Sequence, residues 1–210
     1  MQACTQNALR IIGEHMSCHD VLQESLRDAP FYEESGGGIT LSGGEPTFQS
    51  EFSAAILEKA QRAGVHTAVE TNGYCAWERI EKLARFTDLF LFDLKIIDRS
   101  KSLAAIGADS GVILENLESV DRMGKAIFVR FPLIPGYTDD PDNIEKVIAV
   151  AVGLKNVTEV HVLPFHQYGK HKYRALGYPY ELETLPPLSR AQVQELMSPY
   201  NRKIDIKIFG

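Results

Sequence analysis

Short apolar, β-branched runs alternate along the chain with longer stretches whose apolar residues recur at helical spacing. The runs are Gly38–Leu41, His66–Glu70, Leu89–Leu94, Ala126–Pro132, Glu159–Pro164 and Lys203–Phe209. The internal ones are nearly continuously apolar, as in strands covered on both faces. Phe52, Ile56 and Ala60 repeat on one helical face, with Gly64 as the stop. Asn116–Met123 ends the same way at Gly124. Ser17-Cys-His-Asp20 reads as a capping box with Asp20 in the Glu position, opening a helix to about Asp28. Asp140-Pro141 places a cap before a proline at the first helical position, leading into Ile144, Val147 and Ile148. A further helix is predicted from Ser189 to Met197, and Pro186-Pro187 marks a local turn. Strand-to-strand steps of roughly 25–35 residues fit repeated βα units, so the predicted class is α/β. No linker or low-complexity segment divides the chain.

The exits of these runs break the apolar pattern. Residues 36–46 read Gly-Gly-Gly-Ile-Thr-Leu-Ser-Gly-Gly-Glu-Pro, a short strand ending in a Gly-Gly-Glu-Pro turn. Adjacent glycines let a backbone approach a ligand, because no Cβ intervenes. Glu45 adds a carboxylate to the turn, and Pro46 stops the strand. Alone, such a turn is explained as well by backbone geometry as by binding. The later strand ends carry Glu70, Asp93 with Lys95, Arg130 and His166. In a βα barrel the C-terminal strand ends share one mouth, so these residues are expected to converge there. Asp93 and Lys95, two apart on a strand, share a face. They form either a surface pair or a site in which Lys95 meets a ligand carboxylate. Arg130 is either a ligand contact or one arm of an internal ion pair. Such a mouth suits a zwitterionic or polyfunctional small molecule, for example an amino-acid derivative. His166 ends a strand and precedes Gly169, which marks it as an exposed, functional tip. His15, His19, His66, His161 and His171 are read as structural.

Composition narrows the class. The 210 residues are ordinary in length for one domain, and a net charge of −6 argues against general nucleic-acid binding. No apolar run is long enough to span a bilayer. The first residues, Met-Gln-Ala-Cys-Thr-Gln-Asn, lack a basic region followed by an apolar core, so the expected location is the cytoplasm. Cys4, Cys18 and Cys75 are too few and too scattered for a disulfide framework or a zinc site.

Taken in order, the motifs carry a resemblance. Thr40-Leu-Ser-Gly-Gly-Glu-Pro46, Glu70-Thr-Asn-Gly73, Asp93-Leu-Lys95, Arg130-Phe-Pro-Leu-Ile-Pro-Gly136 and Leu163-Pro-Phe-His166 occur in this sequence, with Phe31-Tyr-Glu-Glu-Ser-Gly-Gly-Gly38 just upstream. Together they resemble the glycyl-radical-enzyme activating enzymes, the pyruvate formate-lyase activating family within the radical AdoMet superfamily. The resemblance runs from Cys4 to about Tyr180. It implies a partial (β/α)6 TIM-like barrel and a 4Fe–4S cluster with one iron open to S-adenosyl-L-methionine (AdoMet). It also implies electron delivery by flavodoxin or ferredoxin, cleavage of AdoMet to methionine and a deoxyadenosyl radical, and hydrogen abstraction from a backbone glycine of a partner glycyl-radical enzyme. By the same resemblance Ser42, Gly43, Gly44 and Glu45 hold the methionine group. Asp93, Leu94 and Lys95 line the site with Lys95 near the carboxylate, Glu70 stands close to the cofactor, and Arg130 and His166 complete the pocket.

One departure matters. The family's Cys-x-x-x-Cys-x-x-Cys motif, whose three thiolates leave one iron open, does not occur in this sequence. Cys18, in the first turn of a predicted helix, and Cys75, beside Trp77, read as small buried residues. Gln2-Ala-Cys-Thr-Gln-Asn-Ala-Leu9 resembles the tail of a ferredoxin-like insert of these activases, with Thr5 where the family has proline. Cys4 would then be the last ligand of an auxiliary cluster. The expected organisation is residues 1–16 as that tail and 17–210 as a barrel lacking the first strand and the cluster loop. On this reading the chain belongs to a longer protein and does not cleave AdoMet alone. Gly38–Leu41 is left as an open edge that invites self-association. The alternatives are a non-catalytic fragment or degenerate paralogue that binds AdoMet or a protein partner, and a radical enzyme acting on a small molecule. Gly-Tyr-Thr-Asp-Asp140 and His166-Gln-Tyr-Gly-Lys-His-Lys-Tyr173 resemble the activases specifically and disfavour the last. The basic run Gly169–Arg174 is either a docking surface for flavodoxin or the partner's glycine loop, or a solvated loop.

Overall fold

Six parallel strands pair in strict chain order, each with its sequence neighbour, in a computed structural model that describes residues 13–209. The strands are β1 (Gly38–Leu41), β2 (His66–Thr71), β3 (Leu89–Asp93), β4 (Ala126–Leu133), β5 (Val157–Pro164) and β6 (Asp205–Ile208). Among the described residues β1 and β6 do not pair, so the sheet curves without closing. Parallel neighbours need crossovers. Those are α3 (Ser50–Arg62), α4 (Trp77–Ala84), α5 (Arg99–Ile106) with α6 (Ser110–Arg122), α7 (Pro141–Gly153), and α8 (Lys170–Leu176) with α9 (Arg190–Met197). Ahead of β1 stand α1 (Cys18–Ser25), a 3-10 turn Leu26–Asp28 and α2 (Ala29–Ser35). The expected partial-barrel architecture is therefore present. The tail expected over residues 1–16, with Cys4, lies mostly outside the described residues.

Burial alternates along the strands, which corrects the expectation of strands covered on both faces. In β3, Phe90 and Phe92 are fully buried, whereas Leu89, Leu91 and Asp93 are half-buried. In β4, Ile127, Val129, Phe131 and Leu133 are fully buried, and Phe128 and Arg130 are not. The buried set packs with Leu57, Ile80, Leu83, Leu117, Val147 and Ile148 from the helices in the main core. The other face is the concave side of an unclosed sheet, open enough to keep ionisable side chains at its rim. A smaller cluster of Ile39, Ile56, Ala60 and Val65 receives Cys18, Val21 and Leu22 from α1 beside the β1 edge.

Local signals account for the helix ends. Ser17 and Asp20 form the expected reciprocal capping box. Asp140 caps α7, with Pro141 at its first position. The expected single helix to Asp28 ends instead at Ser25 and tightens into the 3-10 turn, because Pro30 forces a new helix start. At the N-terminal ends of the strands, Asp88 accepts the Thr67 N–H at 2.8 Å and its hydroxyl at 2.9 Å. Burial alone would raise the Asp88 carboxyl, but these hydrogen bonds hold it below its ordinary value. That end of the sheet serves stability, and the chemistry-bearing residues lie at the other. No described helix is long and apolar enough to cross a membrane.

Candidate active site

The C-terminal ends of β1 to β4 hold one connected set of polar contacts. Ser42 donates its hydroxyl to Glu70 Oε2 at 3.1 Å. The Arg130 guanidinium lies 2.6 Å from the same oxygen and, through Nε, 3.9 Å from Asp93 Oδ1. Lys95 Nζ lies 3.0 Å from Asp93 Oδ2. All four charged side chains are 20–29% exposed. Period-two geometry explains the convergence: Glu70, Asp93, Lys95 and Arg130 all point to the concave face, and register sets Asp93 beside Arg130. Two carboxylates face two cations, so the cluster is neutral. Asp93 Oδ1 is buried and accepts no hydrogen bond, an unmet capacity that a bound ligand can use. Of the two sequence alternatives for Arg130 the structure shows the internal ion pair, at a position that lines the mouth.

Glu45 occupies a more structural position. Its Oε1 accepts from Thr47 N–H, the Thr47 hydroxyl and the Thr71 hydroxyl at 3.2, 2.9 and 2.8 Å. Its Oε2 accepts from Asn72 N–H at 2.9 Å. The carboxylate thereby caps the 3-10 turn Pro46–Gln49 and ties the β1 exit to the β2 exit. Gly43 and Gly44 are exposed, Gly43 has φ +117°, and no atom lies within 4 Å of a Cβ built on either. A non-glycine residue is strained at that φ. The pair forms an open cradle beside Ser42. Leu94 departs from the concave face: its side chain is 2% exposed in the core, and its N–H donates to the Arg130 carbonyl.

His166 lies farther round the rim. It shares a cavity of about 400 Å³ with Arg130, Leu163, Phe165, Tyr168 and Leu188. Its ring stacks on Tyr168 at 4.3 Å, and Nδ1 accepts the Tyr168 N–H at 3.3 Å. His161, a structural histidine in the sequence reading, sits between the Phe128 and Phe209 rings with Nε2 2.7 Å from Glu159. In the basic run, Lys170 and Arg174 both pair with Glu183, so one carboxylate is shared between two of the run's cations.

Two asparagines that the sequence pattern did not single out hold the loops. Asn116 on α6 donates to the carbonyls of Gly73 and Cys75 at 2.8 and 2.9 Å. Asn143 on α7 donates to the Lys95 carbonyl at 2.8 Å and accepts the Ile97 N–H at 3.0 Å. Each is 4% exposed, and only their polarity within apolar helix faces could have drawn attention to them. Gly73 in the same turn has φ +69°, and a Cβ there would stand 2.3 Å from the fully buried Phe92 ring. Gly73→Ala is expected to destabilise the chain by about 3 kcal/mol, combining left-handed strain with overpacking. Gly64→Ala, at φ +73° with open space around it, costs only the strain, about 1 kcal/mol. Urea unfolding of the two variants measures the difference.

Neither described cysteine joins a metal-binding group. Cys18 and Cys75 are half-buried, a correction to full burial, and they pack in different hydrophobic clusters. Burial pushes the Cys75 thiol above its ordinary value. Among the described residues no group of three His, Cys, Asp or Glu side chains is placed to hold a metal ion.

Comparison with known proteins places the chain in a family. The Radical SAM superfamily pattern matches residues 4–161. The trans-4-hydroxy-L-proline dehydratase activating enzyme of Clostridioides difficile is 38% identical, with 94% of this chain and 68% of that protein aligned. The pyruvate formate-lyase 2-activating enzyme of Escherichia coli is 37% identical, with 90% and 65% aligned. The chain thus spans about two thirds of the length of these relatives. Among solved structures, a domain of pyruvate-formate lyase-activating enzyme from Bacteroides vulgatus superimposes with a TM-score of 0.68 at 25% identity, over 83% of this chain and 99% of that one. The chain belongs to the radical SAM superfamily, among the activating enzymes of glycyl-radical enzymes.

Proposed function

We propose that this chain is the AdoMet-binding part of a cytoplasmic activase that places a radical on a glycine of a partner glycyl-radical enzyme. The observation that carries the reading is the neutral Ser42–Glu70–Arg130–Asp93–Lys95 network beside the open Gly43–Gly44 cradle. The amino-acid end of AdoMet is zwitterionic and adds no net charge to such a cluster, its carboxylate and ammonium each finding an opposite charge there, which leaves the sulfonium as the ligand's one uncompensated charge. Lys95 meets the ligand carboxylate. Gly43 and Gly44 leave room for the methionine group. Asp93 Oδ1, without a donor in the chain, accepts one from the ligand. His166, Leu163 and Phe165 line a cavity suited to a flat ring. Glu45 acts on the ligand through the turn it fixes, by holding the β1 and β2 exits together.

When bound to a reduced 4Fe–4S cluster, AdoMet supplies hydrogen-atom abstraction. The described residues fit AdoMet, and on this reading, with no Cys-x-x-x-Cys-x-x-Cys motif in the sequence, the cluster is held by ligands other than theirs. Arg130 and Lys95 orient the ligand, while Glu70 and Asp93 keep the two cations apart and fixed. The electron donor on this reading is a flavodoxin or ferredoxin. Self-association through the unpaired β1 edge belongs to the same reading and would show as concentration-dependent sedimentation; a clean monomer at high concentration would count against it.

The experiment uses the full-length protein, reconstituted with iron and sulfide under argon. It is given AdoMet, reduced flavodoxin and a glycyl-radical enzyme encoded next to it. A glycyl-radical doublet in the electron paramagnetic resonance spectrum of the partner is expected, with deoxyadenosine formed alongside. If AdoMet is consumed while the partner stays radical-free, the activase reading fails.

A further inference from the structure

Strand β3 stops pairing at Asp93, opposite Arg130, and one further backbone bond, from the Leu94 N–H to the Arg130 carbonyl, closes the ladder. The chain then leaves the sheet, yet burial still alternates: Leu94 and Ile96 are buried, Lys95 and Ile97 half-buried. The backbone groups of Lys95 and Ile97 lie beyond the strand register, and such groups are costly to leave unpaired away from water.

Side chains from two helices stand in for the missing strand. Asn143 on α7 donates through Nδ2 to the Lys95 carbonyl at 2.8 Å and to the Thr138 carbonyl at 3.1 Å. Its Oδ1 accepts the Ile97 N–H at 3.0 Å. Ser110 on α6 donates its hydroxyl to the Ile97 carbonyl at 2.9 Å. One planar amide thus engages an acceptor and a donor of the Lys95–Ile97 backbone, as a neighbouring strand would. Its remaining bond ties that stretch to the β4 exit. There the Thr138 hydroxyl donates to the Pro132 carbonyl and accepts the Ile134 N–H, both at 2.7 Å. Asn143 and Thr138 are both buried, so water does not take over these bonds.

The consequence falls on one side chain. Alternation keeps Lys95 on the side of Asp93 only while the backbone stays extended beyond the strand end. The lysine stem is flexible and its ammonium is a point charge, so a fixed backbone is what limits where that charge stands. We propose that Asn143 is a positioning residue, holding the Lys95 backbone so that the ammonium faces the carboxylate of bound AdoMet. The proposal rests on the AdoMet reading of the site and deepens it. All three hydrogen bonds of Asn143 go to backbone atoms, so its effect on the ligand passes through Lys95. A merely structural asparagine would weaken every ligand alike, whereas a positioning one weakens the ligand that carries the carboxylate.

The test is calorimetry on the 210-residue chain with AdoMet and with decarboxylated AdoMet, which keeps the sulfonium and the ammonium. Wild type is expected to bind AdoMet at least about tenfold more tightly. Asn143→Asp sets an oxygen against two carbonyls in a side chain of the same size. Asn143→Ser removes the amide without adding a charge. In each, AdoMet binding should weaken about fivefold or more, while the decarboxylated form changes by less than about twofold. Lys95→Met should bring the two ligands level, and adding Asn143→Ser to it should alter their ratio no further. Equal weakening of both ligands by Asn143→Ser, or AdoMet binding left unchanged by it, would overturn the proposal alone. Wild-type binding without preference for the carboxylate would overturn it together with the role of Lys95. Wild-type binding of neither ligand would overturn the AdoMet reading and the proposal with it.

Discussion

Arg130→Met is expected to destabilise the chain by about 2–3 kcal/mol and to lower AdoMet binding at least about tenfold. The guanidinium is the only group in the cluster that faces both carboxylates, at 2.6 Å from Glu70 and 3.9 Å from Asp93. Removing it leaves two partly buried anions near one another with Lys95 as the remaining cation. The loss of a partner for a half-desolvated charge costs more than the pair itself contributes. Arg130→Lys should not restore the wild-type state, because a single ammonium cannot reach two acceptors as a planar fork does. A double-mutant cycle with Glu70→Gln isolates the cause. If the ion pair is responsible, the double variant recovers about 1–2 kcal/mol of the loss. Urea unfolding measures stability, and calorimetry of the same variants measures AdoMet binding. Additivity of the two substitutions would show that the network does not act as a unit.

The strand positions and the rim residues were legible because both follow from period two. Apolar runs that end in ionisable residues fix which side chains reach the concave face, so Glu70, Asp93, Lys95 and Arg130 could be named together. What the pattern could not show was how the chain already uses those groups. Glu45 looks like a ligand carboxylate in sequence, and its engagement by Thr47, Thr71 and Asn72 depends on the approach of the β2 exit. Leu94 sits between two site residues in sequence, yet the same alternation sends it to the opposite face. The asparagine clamps lie 41 to 48 residues from the Gly73, Cys75 and Lys95 carbonyls they hold, beyond any local motif. Lys170 and Arg174 form a basic run in sequence, but a chain turn brings Glu183 against them.

The 210-residue chain itself, reconstituted with iron and sulfide under argon and supplied with dithionite and AdoMet, is expected to form no deoxyadenosine above background. A cluster with one open iron needs three thiolates converging on one centre. Cys18 begins α1 and packs in the small cluster at the β1 edge. Cys75 follows β2 and packs against the main core, where burial pushes its thiol above its ordinary value, away from the thiolate that a metal needs. Two cysteines in separate clusters cannot act with a third as a tripod without unfolding the elements that carry them. AdoMet would then bind through Lys95, Asp93 and the glycine cradle with no electron source beside it, so binding and turnover should separate. Calorimetry should still report AdoMet binding, weakened at least about tenfold in Lys95→Met because the ligand carboxylate loses its cation. Clear deoxyadenosine formation would mean that the chain assembles a cluster from ligands other than a cysteine tripod, and the division of labour drawn here would fail.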